Sequence, residues 1–141
     1  MIVLGIDLGE RRIGVAVSDP LAVIAQPATV IEHASLAEDV ARVGALAAQR
    51  KAERIVVGLP WNMDGSPGPA TRRARRFANA LRKRLGLDVV LWDERLTTLE
   101  ADEALAAAGR GREERMETID KAAAAVILQR YLDAQREGDG R

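Results

Sequence analysis

The sequence predicts an α/β protein with three layers, in which a mixed five-stranded sheet lies between helices on both faces. Three β-like segments occur within the first 32 residues and are separated only by short turns. Farther along the chain, segments with the apolar spacing of helices alternate with short, continuously apolar segments. Short apolar segments of that kind are typical of buried strands in parallel sheets. A three-stranded meander followed by strand–helix units therefore predicts the strand order 3-2-1-4-5.

Each predicted strand has its own signal. The first is an apolar run that only Gly5 and Asp7 interrupt, and the second alternates large and small residues. A turn of four residues joins these two strands, so we expect a hairpin. Pro27 has no backbone N–H to donate and therefore places the third strand at an edge of the sheet. The predicted strands cover residues 1–8, 13–19, 24–32, 54–58 and 88–92.

Four helices are predicted from capping residues and apolar stripes. Ser35 and Glu38 form a capping box before the first helix, and Thr97 begins a second box before the third. Pro69 suits the first turn of the second helix. A charged, glycine-containing loop over residues 109–116 is expected before the last helix. The predicted helices cover residues 36–51, 69–85, 97–109 and 118–134.

The composition limits the chemistry that the chain can perform. Apolar residues make up 48% of the sequence, so we expect one folded domain over residues 1–137 with a frayed tail at 138–141. The absence of cysteine excludes disulfides, a thiolate zinc site and a cysteine nucleophile, and it agrees with a cytoplasmic location. His33 is the single histidine, which excludes a multi-histidine metal site, and it is expected at the surface. No apolar run is long enough to span a membrane, so no membrane partner is expected, and an active site must use mainly carboxylates, hydroxyls, amides and arginines.

Three acidic residues stand out by their positions. Asp7 interrupts the apolar first strand, where an ionised carboxylate is costly unless it is paired or binds a metal. Glu94, between Asp93 and Arg95, follows the fifth strand, and open α/β sheets form their sites at such strand ends. Asp120 shares the inward stripe of the last helix. Each acid also has an ordinary explanation: a hydrogen-bonded turn for Asp7, a solvated ion pair for Glu94, and the dipole of a first helical turn for Asp120.

Together these three acids are expected to converge at one edge of the sheet. Three carboxylates in one cleft repel one another, so a cation must neutralise them or some of them must bind protons. Oxygen ligands without cysteine or paired histidine suit magnesium or manganese rather than zinc or copper. Two such ions can activate water and stabilise the leaving oxygen in phosphodiester hydrolysis. Asp7, Glu94 and Asp120 are therefore the expected catalytic residues and ligands of Mg²⁺ or Mn²⁺.

Basic residues are concentrated in the second predicted helix, although the net charge of the whole chain is zero. Residues 65–87 contain seven arginines and lysines and no acid. A basic helix of this kind attracts the phosphate backbone of a nucleic acid. The two arginines of the first turn either contact phosphate as well or lie in solvent. The expected nucleic-acid contacts are Arg11, Arg12, Arg72, Arg76 and Lys83.

Four segments carry a family resemblance: GIDLGERRIGVAVSD (5–19), VGLPWNMDG (57–65), DERLTT (93–98) and IDKAAAAVILQRYL (119–132). They closely resemble the YqgF/RuvX family of bacterial proteins, which have an RNase H-like fold and are related to the RuvC Holliday junction resolvases. The resemblance implies an RNase H-like nuclease that processes the 5′ end of pre-16S rRNA, with Holliday junction resolution as the older inference. Asp7, Glu94 and Asp120 match the acids of the family in the first strand, after the fifth strand and in the last helix.

The resemblance also implies partners, and it includes one difference from RuvC. The implied partner is nucleic acid, either RNA or branched DNA, in the setting of a pre-ribosomal particle, and both a monomer and a homodimer are open. RuvC carries an acid at the end of its fourth strand, where this chain has Gly58, Leu59 and Pro60. If Glu94 supplies the missing ligand from the next strand, the metal geometry differs from that of RuvC.

Two other classes of protein share parts of this pattern. The segment GIDLG at residues 5–9 resembles the first phosphate loop of actin- and hexokinase-type enzymes, but those folds place two such domains around a nucleotide. A non-catalytic RNA-binding or ribosome-assembly factor would keep the fold and cut nothing. The acidic trio favours catalysis, because a protein that only binds gains nothing from three repelling carboxylates.

Overall fold

The computed structural model describes residues 1–93 and 112–139. The predicted helix over residues 97–109 lies outside these ranges. The described elements are β1 (Ile2–Leu8), β2 (Arg12–Ser18), β3 (Ala25–Glu32), α1 (Leu36–Arg50), β4 (Ala52–Leu59), α2 (Pro69–Leu85), β5 (Asp88–Asp93) and α3 (Arg112–Asp139).

The five strands form one mixed sheet in the order β3-β2-β1-β4-β5. The first three strands are antiparallel neighbours, and β4 and β5 run parallel to β1. This arrangement confirms the predicted strand order and directions. The central strand β1 ends at the same edge of the sheet as β4 and β5, and we call this the carboxyl edge.

Helices cover both faces of the sheet, as the sequence predicts. On one face, α1 and α2 pack over Leu4 and Ile6, and this layer holds the larger core cluster. On the other face, α3 packs over Val3, Ala16 and Val56. Alternate residues of each strand therefore point to different helices, and the side of the sheet that a residue occupies follows from its position along the strand.

Small residues allow α3 to lie very close to the sheet. A Cβ atom placed on Gly14 would lie 2.0 Å from the backbone oxygen of Asp120 in α3, so no side chain fits there. A Cβ on Gly5 would lie 2.7 Å from the Cβ of Leu128. The alternation of large and small residues in β2 thus has a physical cause: the large ones fill the core under α1 and α2, and the small ones lie under α3.

The two helices on the first face begin at the predicted caps. The Ser35 hydroxyl accepts a hydrogen bond of 3.1 Å from the Glu38 N–H at the start of α1. Pro69 occupies the first turn of α2, and Gly86 ends that helix in the left-handed region with a φ of 67°. Because caps are local features, they fix helix ends that a sequence can reveal.

The last helix differs from the prediction at both ends. α3 begins at Arg112 and not near residue 118, so the expected loop over residues 112–116 was wrong. Asp120 consequently lies in the third turn of α3, and the explanation by a first-turn helix dipole does not apply to it. The helix also continues through Gly138 to Asp139, which makes helical the first two residues of the expected frayed tail. Among the described helices, none combines the length and the apolarity that a membrane span requires.

The turn between β2 and β3 is held by one carboxylate. Asp19 Oδ1 accepts hydrogen bonds from the N–H groups of Ile24 and Val23, at 2.9 and 2.7 Å, and its Oδ2 accepts one from Leu21 at 3.2 Å. These donors, Ile24 first and then Val23, stabilise the charged form and hold the pKa of Asp19 below its ordinary value. The Asp19 carboxylate therefore stabilises the β2–β3 turn, which lies at the edge of the sheet opposite to the carboxyl edge.

Candidate active site at the carboxyl edge of the sheet

Asp7, the first of the three predicted acids, lies near the carboxyl end of β1. It is the second-last residue of β1. Because it follows Val3 and Gly5 at intervals of two residues, it lies on the same face of the sheet as they do, which is the face covered by α3. Its side chain is half-buried, and it is paired in register with Gly14 of β2. The central strand therefore presents a carboxylate at the carboxyl edge, next to the point where α3 approaches most closely.

Asp120 is brought to this point by the packing of α3. Its backbone oxygen lies against Gly14, the register partner of Asp7. The residues Ile119, Ala123, Ala124 and Ile127 of the same helix are buried, so the Asp120 position belongs to the inward stripe. The backbone of Asp120 therefore lies against the strand position that pairs with Asp7.

Arg12, the first residue of β2, provides a positive charge beside Asp120. Its Nη1 atom is 3.8 Å from Asp120 Oδ2, and the two side chains are 27% and 22% exposed. This distance is an ion pair without a hydrogen bond. The Arg12 guanidinium therefore offsets part of the negative charge of Asp120. Arg11, its neighbour in the hairpin turn, is exposed.

The third predicted acid, Glu94, lies outside the described residues. The strand before it ends at Asp93, which is exposed and is paired in register with Leu59 of β4. β5 therefore ends at the carboxyl edge that also holds Asp7. Within residues 1–93 and 112–139, no three Asp, Glu, His or Cys side chains form a group that could hold a metal.

The chemistry of the described donors fits a hard divalent cation. Asp7 and Asp120 offer carboxylate oxygens, and the chain has no cysteine to favour a softer metal. Carboxylate donors in a half-buried position suit magnesium or manganese, the two ions expected from the sequence. Asp7 and Asp120, with Glu94 as the third predicted ligand, are the residues that would hold such an ion.

Three basic residues of α2 face outward as expected. Arg72, Arg76 and Lys83 are exposed, whereas Phe77 and Leu81 are buried against the sheet. Since α2 follows the end of β4 and precedes the start of β5, its first turns lie near the carboxyl edge and its last turn lies at the opposite edge. Arg72 and Arg76 are therefore close to the site, and Lys83 is roughly 16 Å farther along the helix axis than Arg72.

A second group of polar residues lies beside the site on the other face of the sheet. A cleft of about 320 Å³ opens between α1, α2 and the end of β1, with Leu8 and Gly9 on its wall. We call it the α1–α2 cleft. Its polar lining residues are Glu10, His33, Ser35, Asp39, Arg73 and Arg76. The sequence predicts no site role for His33, Asp39 or Arg73, although Asp39 falls on the apolar stripe of α1, where an acid is unusual.

Known structures identify the fold. RuvC from Thermus thermophilus in complex with a Holliday junction substrate has a TM-score of 0.61 and 18% sequence identity, with 96% of each chain covered. The fowlpox virus resolvase in complex with Holliday junction DNA has a TM-score of 0.58 and 8% identity, with 96% of this chain and 99% of that chain covered. The fold is therefore RNase H-like, of the kind found in Holliday junction resolvases.

Sequence relatives identify the family. The model of the RuvX family, described as Holliday junction resolvase, matches residues 1–134, and the chain belongs to this family. A protein from Myxococcus xanthus is 46% identical over 136 residues, covering 96% of this chain and 90% of the relative. One from Pelotomaculum thermopropionicum is 48% identical over 146 residues, covering 100% and 95%. Both are named "Putative pre-16S rRNA nuclease". The resemblance found in the sequence is thus confirmed, and the sugar- or ATP-handling alternative is set aside.

Proposed function

We propose that this protein is a metal-dependent nuclease that hydrolyses phosphodiester bonds in the 5′ region of pre-16S rRNA. The observation that carries the proposal is the contact between the Asp120 backbone and Gly14, because it brings Asp120 to the register partner of Asp7. The names of the relatives support the choice of RNA, and the description of the family supports branched DNA as a further substrate. The proposed location is the cytoplasm, where a cysteine-free chain loses nothing to the reducing conditions.

The roles of the acids follow from their places in the fold. Asp7, Glu94 and Asp120 would hold Mg²⁺ or Mn²⁺, with Asp7 contributed by the central strand. A bound divalent ion lowers the pKa of water and polarises a phosphoryl oxygen. Arg12 holds Asp120 in place through their ion pair and keeps part of the carboxylate repulsion neutralised when no ion is bound.

The substrate is proposed to lie along the carboxyl edge and the first turns of α2. Arg11, Arg12, Arg72 and Arg76 are near this edge and would attract phosphates without reading sequence. Lys83 is proposed as an outer contact for a longer strand. Arg75 lies over the ring of Trp61 with its guanidinium carbon 5.6 Å from the ring centroid, which orders one further cation beside this surface. A pre-ribosomal particle would supply a long structured RNA of the kind that this surface suits.

The test is a cleavage assay with purified protein, Mg²⁺ or Mn²⁺, and single-stranded, duplex and branched forms of RNA and DNA. We expect Asp7→Asn to abolish cleavage and to retain binding, because binding depends on the basic surface. Glu53→Gln is the matched control, since Glu53 is an exposed acid at the start of β4, at the opposite edge. It should cut like the wild type. If the wild type binds these nucleic acids and cuts none of them with either metal, the non-catalytic alternative is correct.

A further inference from the structure

We propose that the α1–α2 cleft is a phosphate-binding subsite that holds a phosphate group of the nucleic acid next to the one that is cut. The cleft lies on the α1 and α2 face of the sheet, whereas Asp7 lies on the α3 face. Leu8 and Gly9, which line the cleft, directly follow Asp7 in the chain. A strand that crosses the carboxyl edge would therefore pass both places. The inference rests on the proposed nuclease function.

Arg73 contributes an unsatisfied hydrogen-bond donor to this cleft. Its Nε atom is buried and has no hydrogen-bond partner in the part of the chain that the structure describes. Its Nη1 atom is 3.8 Å from a carboxylate oxygen of Glu10, whose side chain is 82% exposed. A guanidinium with a buried, unsatisfied N–H loses solvation without gaining a hydrogen bond. A phosphate oxygen would satisfy it, and arginine binds phosphate with two parallel hydrogen bonds.

His33 is held in a fixed orientation at the same cleft. Its Nδ1 atom is 2.5 Å from Asp39 Oδ2, and the other oxygen of Asp39 accepts a hydrogen bond of 3.1 Å from the Ala34 N–H. Asp39 is 1% exposed, so its carboxylate is buried and both of its oxygens are used. An ionised carboxylate only accepts, which assigns the Nδ1 proton to the histidine. The Nε2 atom is left as the ring nitrogen that can meet a ligand, and it donates a hydrogen bond to a phosphate oxygen when the ring carries its second proton.

The charges of the cleft favour an anion over a cation. Arg73 and Arg76 are permanently charged, and both line the cleft. Of the two acids, Asp39 is already paired with His33, and Glu10 is free to turn into solvent because its side chain is mostly exposed. A metal ion would face two guanidinium groups and no unused carboxylate on the buried wall. A phosphate group would face two arginines and an oriented imidazole.

The single histidine of the chain provides a specific probe of this cleft. NMR signals of a histidine ring can arise only from His33. Inorganic phosphate should shift these signals in a saturable way. In Arg73→Gln the apparent affinity for phosphate should fall by about tenfold, the loss expected for one charged hydrogen bond. Arg76→Gln should weaken binding as well, and it is a second variant because Arg76 is exposed and its replacement does not disturb packing. Arg84→Gln, which removes an exposed charge from the last turn of α2, should titrate like the wild type.

Oligonucleotides then distinguish the two sources of phosphate. Single-stranded RNA with a 5′-hydroxyl and the same RNA with a 5′-phosphate are titrated onto Asp7→Asn, which is expected to bind without cutting. A His33 shift with both RNAs identifies an internal phosphodiester as the ligand. A shift only with the 5′-phosphate identifies a terminal monophosphate.

The outcomes separate this subsite from the nuclease activity. If neither phosphate nor RNA produces a saturable shift of His33, or if Arg73→Gln and Arg76→Gln both titrate like the wild type, the subsite is refuted. If the wild type cleaves RNA but the NMR signals of His33 do not shift, the subsite is refuted and the proposed function stays in place. A saturable His33 response in a protein that cuts nothing supports the subsite and contradicts the nuclease.

Discussion

Replacing Gly14 with alanine should displace the helix that carries Asp120. The new Cβ would lie 2.0 Å from the Asp120 backbone oxygen and 2.5 Å from its carbonyl carbon. Ordinary contacts of a Cβ begin at 3.4 Å, so β2 and α3 must separate by roughly 1.4 Å. The obstructing atoms belong to the backbone of a helix and cannot turn aside as the end of a flexible side chain can.

Two magnitudes follow for Gly14→Ala. Overpacking a core lowers the free energy of unfolding by about 1–3 kcal/mol, and we expect about 3 kcal/mol for a backbone clash of this size. This loss exceeds the gain of about 0.4–1 kcal/mol that alanine brings by restricting the unfolded chain. For a domain of this length that loss lowers the melting temperature by roughly 10 °C. A shift of about 1 Å in a catalytic group can lower the rate by about 100-fold, so the loss of cleavage should exceed the loss of folded protein.

The assay combines thermal melting with cleavage of the best RNA substrate at a temperature where the variant is folded. Gly138→Ala is the matched control, because Gly138 lies in the same helix and a Cβ there would meet no atom within 4 Å. It should leave the melting temperature unchanged or slightly raised, since alanine is the better helix former. If Gly14→Ala melts and cuts like the wild type, the close contact between β2 and α3 does not position Asp120.

Three further predictions concern charge. Without metal, the free energy of unfolding of Asp7→Asn should exceed that of the wild type by up to ~1 kcal/mol at an effective dielectric near 20, because one repelling carboxylate is gone. The variant should therefore melt at a higher temperature. Saturating Mn²⁺ should shrink or reverse that difference. Equal melting temperatures for the wild type and Asp7→Asn, each with and without Mn²⁺, together with retained cleavage by Asp7→Asn, would contradict the metal site. Replacing all three of Arg72, Arg76 and Lys83 by glutamine should weaken binding to nucleic acids of every sequence. The slope of log affinity against log salt concentration, measured by anisotropy, should fall by about one for each phosphate that the protein no longer neutralises. An unchanged slope would mean that these residues only keep the surface soluble. Because the folded-state pKa of Asp19 is lowered, the stability it provides is complete above its ordinary pKa and is lost as the pH falls through the lowered value. The difference in melting temperature between the wild type and Asp19→Asn should therefore be largest near neutral pH and vanish in strong acid, and a constant difference would oppose this role.

Most of the fold could be predicted because its signals are local. Strand alternation, the Ser35 cap and the proline at the start of α2 each depend on a few neighbouring residues. The start of α3 was missed because the glycines and charges before residue 118 are typical of loops. The residues 112–117 are arginine, glutamate and methionine, all strong helix formers, and their intrinsic propensity would have extended the prediction toward Arg112.

The site could be predicted only in part. Periodicity places Asp7 and Asp120 on faces that meet, since it determines the direction of each side chain. It cannot give the 3.8 Å approach of Arg12 to Asp120, which depends on how deeply α3 lies on the sheet. The α1–α2 cleft was missed for the same reason: it exists only after two helices pack side by side. Asp39 was its one sequence signal, as an acid within an apolar stripe.

The position of Asp120 on the last described helix sets the order in which the two acids of the candidate site come together. Asp7 precedes Asp120 by more than a hundred positions, so it leaves the ribosome first. A nascent chain that ends at β5 has the strands and the layer of α1 and α2, but its other face, with Val3 and Val56, is still uncovered. Such a chain holds one of the acids and not its partner. Under the proposed function, such a chain cannot yet cut RNA, and cleavage requires that α3 has docked on the sheet.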